Sequence, residues 1–178
     1  MSSYRIDQAA FFKNYNIPED AITKTGLKWS ELEDIYEDHI RNTPDLQPTA
    51  NYIADRLRQI DAVHSLKFRV KHPEHLIEKI IRKKMADNSL EYTLSNYKER
   101  ITDLIGIRAL HLFKGDWSRI HDFILDNWKL KERPTANVRK GDPEEVTQLF
   151  KDKGCKIKEH KFGYRSVHYL IKSQPLCP

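Results

Sequence analysis

The sequence predicts an α/β (α+β) fold: a mixed β-sheet with flanking helices and an N-terminal helical layer. Three observations carry this. The first 60 residues show the three-to-four spacing of helices. From residue 63 on, short strand patterns alternate with helical ones. Repeats, Gly/Ser linkers and low-complexity stretches are absent. With 178 residues, the chain is long enough for one domain with an appendage. The division expected is a helical extension over residues 1–45 and an α/β domain over residues 46–178.

In the N-terminal part, Ser30-Glu31-Leu32-Glu33 fits a capping box, with Leu32, Ile35, Tyr36 and Ile40 following on one face. Thr43-Pro44 is expected to stop that helix, and a second should start near Thr49 with Ile53, Leu57 and Ile60 inward. Val63–Val70 alternates as a strand. Pro73 to about Ala86 reads as a helix with proline in its first turn. Leu104–Leu112, rich in Ile and Leu, reads as a buried strand. Trp117–Trp128 is amphipathic, and Asp142-Pro143 opens a further short helix. Arg133–Gly141 is polar, with proline and glycine, and is expected to be a mobile loop. Cys155–Lys161 and Val167–Lys172 read as two more strands.

Hydrophobic residues make up 39% of the chain, enough for a core, but no apolar run approaches the ~18 residues needed to cross a bilayer. The N-terminal MSSYRIDQ lacks the apolar region of a signal peptide. The two cysteines, Cys155 and Cys177, make neither a disulfide framework nor a zinc cluster, so a reducing cytoplasm is the expected compartment. His121-Asp122 stands alone on its helix, without the further ligands a metal-dependent phosphohydrolase needs, and His72 and His75 with Cys155 lack zinc spacing. Charge is uneven. Residues 1–60 carry 7 Lys/Arg against 10 Asp/Glu, residues 61–178 carry 24 against 16, and so the second part attracts anions such as nucleotides or nucleic acid.

Three constellations could meet such an anion. Arg69 and Lys71 precede the helix at Pro73, on which Leu76, Ile77, Ile80 and Ile81 face inward while His75, Lys79 and Arg82 share the other face. Cations beside a helix N-terminus suit a polyphosphate; a wet basic face has the same pattern. Next, Asp103-Leu104-Ile105-Gly106-Ile107-Arg108 puts a carboxylate at the mouth of a strand, where Mg²⁺ can be held against phosphates. Taken alone, Asp103 reads rather as a strand-start or turn residue. Arg108, on the opposite face, would support the fold through a buried ion pair. Last comes Lys161-Phe162-Gly163-Tyr164-Arg165-Ser166-Val167-His168-Tyr169. In a strand from Tyr164 on, Tyr164, Ser166 and His168 would point the same way and could stack a base and hold a phosphate, with Lys161 and Arg165 adding positive charge. The alternative is a strand whose aromatics pack into the core.

Arg69-x-Lys71, the helix with Lys79, then DLIGIR and GYRSVH, in that order, resemble the synthetase domain of the RelA/SpoT family over roughly residues 45–175. The resemblance implies a nucleotidyltransferase-like fold and a cytoplasmic enzyme that moves the β,γ-pyrophosphoryl group of ATP to the 3′-hydroxyl of GDP or GTP, making (p)ppGpp. It implies that Arg69 stacks on the adenine or grips the ATP phosphates, that Lys71, His75, Lys79 and Arg82 line the ATP site, and that Asp103 is catalytic as the Mg²⁺ ligand. Tyr164 would stack on the acceptor guanine, with Lys161, Arg165, Ser166 and His168 around its phosphates.

Two positions and one missing strand depart from the pattern. His75 stands where the family often has Ser, and Phe162 where it often has Asn. The family's following Glu-x-Gln-x-Arg strand, whose Glu is taken as the base or a second metal ligand, has no counterpart: no Glu follows Glu159. The expectation is a synthetase truncated before that strand, binding nucleotide but turning over poorly, with a sheet edge open to a second copy of the chain. Two other readings are a pyrophosphokinase toxin acting on the 3′ end of tRNA, and a non-catalytic nucleotide- or RNA-binding fragment.

Overall fold

The computed structural model describes residues 5–175; Cys177 lies outside the described residues. The chain is α+β, as expected, and divides into two units, residues 1–110 and 111–178.

The first unit is built on one long helix. Two short helices, α1 (Gln8–Asn14) and α2 (Ala21–Thr25), lead into α3 (Trp29–Arg58). At 30 residues, α3 is about 45 Å long. Two expectations fail here. The helix starts at Trp29 with Lys28 as an N-cap that contributes no side-chain bond, so Ser30 is inside the helix and the capping box is not made. Nor does the helix stop at Pro44; it runs through Pro44 and Pro48, and a boundary at residue 45 falls inside it. An interior proline costs about 3 kcal/mol in a helix. Continuity survives because the inward stripe continues on both sides: Leu32, Ile35 and His39 before the prolines, Ala50, Ile53, Ala54 and Leu57 after them, all buried. That stripe packs on the ladder formed by β1 (Ser65–Val70) and β2 (Ile105–Leu110) and on α4 (Pro73–Ala86).

β1 and β2 are antiparallel, pairing Ser65 with Leu110 and Val70 with Ile105. β2 was expected to be a buried strand. With α3 on one face only, Arg108 and Leu110 are exposed on the other, and Arg108 lies across from Lys67 rather than in a buried ion pair. α4 begins on Pro73, as expected. Its Leu76, Ile77, Ile80 and Ile81 are fully buried against Phe11, Leu32, Ile35, Tyr92 and Tyr97. Tyr97 opens α5 (Tyr97–Arg100), which leads into the turn before β2.

In the second unit, α6 (Asp116–Asn127) and α7 (Glu144–Asp152) accompany two small sheets. β3 (Trp128–Leu130) pairs antiparallel with β7 (Ile171–Pro175). β4 (Thr135–Val138) lies between β5 (Lys156–Glu159), parallel to it, and β6 (Ser166–His168), antiparallel. The mixed sheet is thus this three-stranded one. Its central strand falls in the stretch expected to be a mobile loop. Thr-Ala-Asn-Val is too short and too weakly patterned to signal a strand, but neighbours on both sides satisfy its backbone. Ala136, Asn137 and Val138 are buried.

Behind this sheet, Trp117, Ala136 and Cys155 form a small core with Phe150, Ile157 and Val167. The buried hydroxyl of Tyr169 accepts from Trp117 Nε1 (3.0 Å) and lies 3.0 Å from His121 Nδ1. His121, 1% exposed, is a core residue. No helix of the described residues is long and apolar enough to cross a membrane.

Two outcomes follow from this packing. Ile80→Ala should cost roughly 2–5 kcal/mol in urea unfolding, because the pocket around a fully buried residue collapses only partly. Burial pushes the imidazoles of His39 and His121 below their ordinary value. The unfolded chain then takes up protons near pH 6.5 before the folded one does, so stability is full above that pH and is lost as pH falls further. Urea midpoints measured from pH 7.5 to 5 should drop; a flat profile would contradict the buried neutral rings.

Candidate functional site

In the first unit, the site sits where β1 ends and β2 begins. β1 alternates, with Leu66, Phe68 and Val70 inward and Lys67 and Arg69 exposed. Arg69 is paired across the ladder with Gly106, and its side chain lies over that glycine: a Cβ there would sit 3.8 Å from Arg69 Cγ and Nε.

Two residues on, strand geometry has ended and Lys71 turns inward, becoming buried. Its backbone is fixed at both ends. The N–H donates to the Leu104 carbonyl (2.8 Å), and the carbonyl accepts from Nε2 of His39 on α3 (2.7 Å). Its ammonium reaches Oδ2 of Asp103 at 3.0 Å. Lys79, on the second turn of α4, reaches the same oxygen at 2.7 Å. Three residues far apart in sequence thus meet at one carboxylate.

Burial works to raise the Asp103 carboxyl, but the hydrogen bonds from Lys79 and Lys71 outweigh it and hold the group below its ordinary value. Two ammonium groups against one carboxylate leave an excess positive charge, which favours an anion. The second oxygen, Oδ1, is buried and has no hydrogen-bond partner.

The other two cations expected here are engaged elsewhere. Arg82 pairs with Glu78 one turn back (3.0 Å). His75 is exposed, with its ring edge-on to Tyr15 (centroids 5.4 Å apart) and near His72 (5.9 Å). Tyr15 in turn donates to Glu74 Oε2 (2.9 Å). The row of His75, Lys79 and Arg82 along one helix face is therefore split among three different partners.

In the second unit, the segment from Lys161 to His168 is a turn followed by a short strand. Gly163 has φ +68°, a backbone conformation that calls for glycine, and it lies against Arg139, whose Cγ and Cδ would be 3.4 Å from a Cβ there. The strand starts at Ser166, so Tyr164 belongs to the turn and not, as expected, to a strand face shared with Ser166 and His168. The turn leaves its aromatics in solvent. Tyr164 is 47% exposed and Phe162 83%. Tyr164 stands edge-on to His160 (5.6 Å), and the Lys161 ammonium is 5.6 Å from the Phe162 ring.

Arg165 is held by Asp142 through a two-pronged ion pair, with Nε 2.9 Å from Oδ2 and Nη2 on Oδ1. Asp142 also accepts from the Arg139 backbone N–H (2.8 Å). Arg165 first, then that N–H, pull the Asp142 carboxyl down to about 2. Arg165 therefore anchors the turn. On β6, Ser166 Oγ accepts from Asn137 Nδ2 (3.0 Å), and His168, exposed, pairs in register with Thr135.

Sequence reasoning missed His39, Asn137 and Asp142, which hold the expected residues in place. Only His39 left a signal, since it falls in step with Leu32 and Ile35 on the buried stripe of α3. For a metal, the described residues contain no group of three or more His, Cys, Asp or Glu that could cage one. What they offer is the unpartnered Asp103 Oδ1. The two ammonium groups repel a bare cation, so Oδ1 could hold a hard ion such as Mg²⁺ only alongside a polyphosphate that offsets their charge and supplies, with water, the ion's remaining ligands.

A family profile described as "Region found in RelA / SpoT proteins" matches residues 68–176, well over half of the chain. No curated protein and no solved structure matches it significantly. The match begins on β1 just before Arg69, takes in Lys71, Lys79 and Asp103, and ends beyond His168. This chain belongs to the RelA/SpoT family, of the (p)ppGpp synthetase type.

Proposed function

We propose that this chain is an ATP:GTP/GDP 3′-pyrophosphotransferase with Mg²⁺ as its cofactor and a cytoplasmic setting. In the reaction, the acceptor's 3′-oxygen bonds to the β-phosphorus of ATP, the bond from that phosphorus to the bridging oxygen breaks, and AMP leaves. The hydroxyl proton is released. The observation that carries this reading is the Asp103 carboxylate shared by Lys71 and Lys79, with Oδ1 unfilled.

Transfer of this kind needs positioning and neutralised charge more than covalent help from the protein. Lys71 and Lys79 are suited to hold the donor phosphates. Both already sit at an anionic oxygen, and phosphate oxygens offer the same partner with more charge. Arg69, extended over Gly106, has the planar group needed to stack on adenine or to fork onto phosphate. Asp103 is the residue that would hold the magnesium, through Oδ1. Bound there, the ion would neutralise charge on the transferred phosphates.

For the acceptor, Tyr164 offers an exposed ring to the guanine, and Lys161, Ser166 and His168 offer donors to its phosphates. Arg165 serves by holding the turn that presents Tyr164. His75 and Arg82 are assigned to the outer ATP site, where Arg82 would have to leave Glu78.

The chain incubated with Mg²⁺, ATP and, in parallel, GDP, GTP and tRNA should transfer radiolabel from ATP to a guanine nucleotide and release AMP. Lys71→Met and Lys79→Met should each lower kcat/KM on the order of 100-fold, as loss of a donor at developing charge does. Transfer to tRNA alone would move the acceptor to RNA, and nucleotide binding without product would leave a non-catalytic binding module. For the acceptor site, Tyr164→Ala should weaken GDP binding by about 1–3 kcal/mol in calorimetry and leave ATP binding near the native value.

A further inference from the structure

We infer that His39 is a positioning residue of this site, acting through Lys71. It lies in the middle of α3, fully buried, on a stripe otherwise made of Leu32, Ile35, Ala50 and Ile53. A leucine or methionine would be the ordinary occupant. The imidazole instead makes one hydrogen bond to the rest of the protein, 2.7 Å from Nε2 to the Lys71 carbonyl. A carbonyl can only accept, so Nε2 carries the proton. Nδ1 is then bare, buried and without a partner. A half-satisfied ring is a costly choice for a core position. What the ring provides is a fixed point for the backbone of Lys71 just where β1 has ended and no strand neighbour holds that carbonyl.

The next residue back completes the arrangement. Asp38 accepts from the Tyr97 hydroxyl (2.6 Å) and pairs with Lys98 (2.8 Å). Tyr97 and Lys98 belong to α5, which runs into the turn bearing Asp103. His39 also stands edge-on to the Tyr97 ring (6.5 Å). Two consecutive residues of one rigid helix thus hold both sides of the ion cluster, His39 the lysine side and Asp38 the segment leading to the carboxylate. If Lys71 shifts by even an ångström, its ammonium no longer meets the oxygen, and a misplacement of that size can cost on the order of 100-fold in rate. The kinetic part of the inference rests on the proposed transfer reaction. The structural part does not.

The test uses the full chain with His39→Gln, which keeps a donor near the Nε2 position, and His39→Met, which keeps the volume without a donor. One arm needs no nucleotide: the ¹⁵N resonance of the Lys71 ammonium, slowed in exchange by its bond to Asp103. It should persist in H39Q and vanish into fast exchange in H39M. The other arm is kinetic. H39M should lose on the order of 100-fold in kcat, H39Q should recover most of it, and H39M should have no further effect in a K71M background. Should H39M fail to fold, His39→Asn, whose donor falls short of the carbonyl, takes its place.

Equal losses in H39Q and H39M would overturn the inference, since packing alone would then explain them. So would an intact ammonium signal in H39M, or a loss undiminished in the K71M background. If the native chain transfers no pyrophosphate while the ammonium arm behaves as expected, the functional reading falls and the positioning role stands.

Discussion

Everything in the first unit's site depends on one oxygen atom. Asp103 Oδ2 accepts from Lys71 at 3.0 Å and Lys79 at 2.7 Å, and without it two partly buried ammonium groups would face each other with no counter-charge. Leaving such charges unpaired is strongly destabilising. The arrangement is therefore a constraint as much as an attraction, since a strand end, a helix and a turn must all be placed within ångströms for it to exist. It is also exchangeable. An anion with several oxygens could take over both lysines and release the carboxylate for a cation, and under the function proposed above a nucleotide polyphosphate would be that anion.

The scaffold under that cluster is α3. Local rules say that a helix should end before Pro44. The long-range rule, that an apolar stripe must be covered, runs the other way and prevails, because the stripe resumes in step at Ala50 and has β1, β2 and α4 to cover it. The result is a rigid rod whose middle residues, Asp38 and His39, reach α5 and the end of β1.

In the second unit the corresponding constraint is a turn. Gly163 lets the backbone pass beside Arg139, and the Arg165–Asp142 pair, reinforced by the Arg139 N–H, holds the turn from the other side. The Arg165 end of the pair is half exposed, while the Asp142 side chain is almost fully covered. The pair ties down the segment beside Tyr164, whose ring is open to solvent.

The helices α4 and α6, the strands β1 and β2 and the motif residues themselves were legible in the sequence, because each depends on periodicity or residue type within a dozen positions. Pro73 at a helix start and the inward row from Leu76 to Ile81 are examples. The partners of those residues were not legible. The spacing that puts His75, Lys79 and Arg82 on one face cannot tell that Lys79 goes to a carboxylate 24 positions away while Arg82 goes to a glutamate of its own helix. β4 was hidden for the same reason: its stability comes from β5 and β6, not from its four residues. By itself the sequence determined which groups could do chemistry and on which kind of element each would sit. Only the tertiary structure decided which of them meet, because a carboxylate's choice among several cations is set by distance and burial, and chain order carries neither.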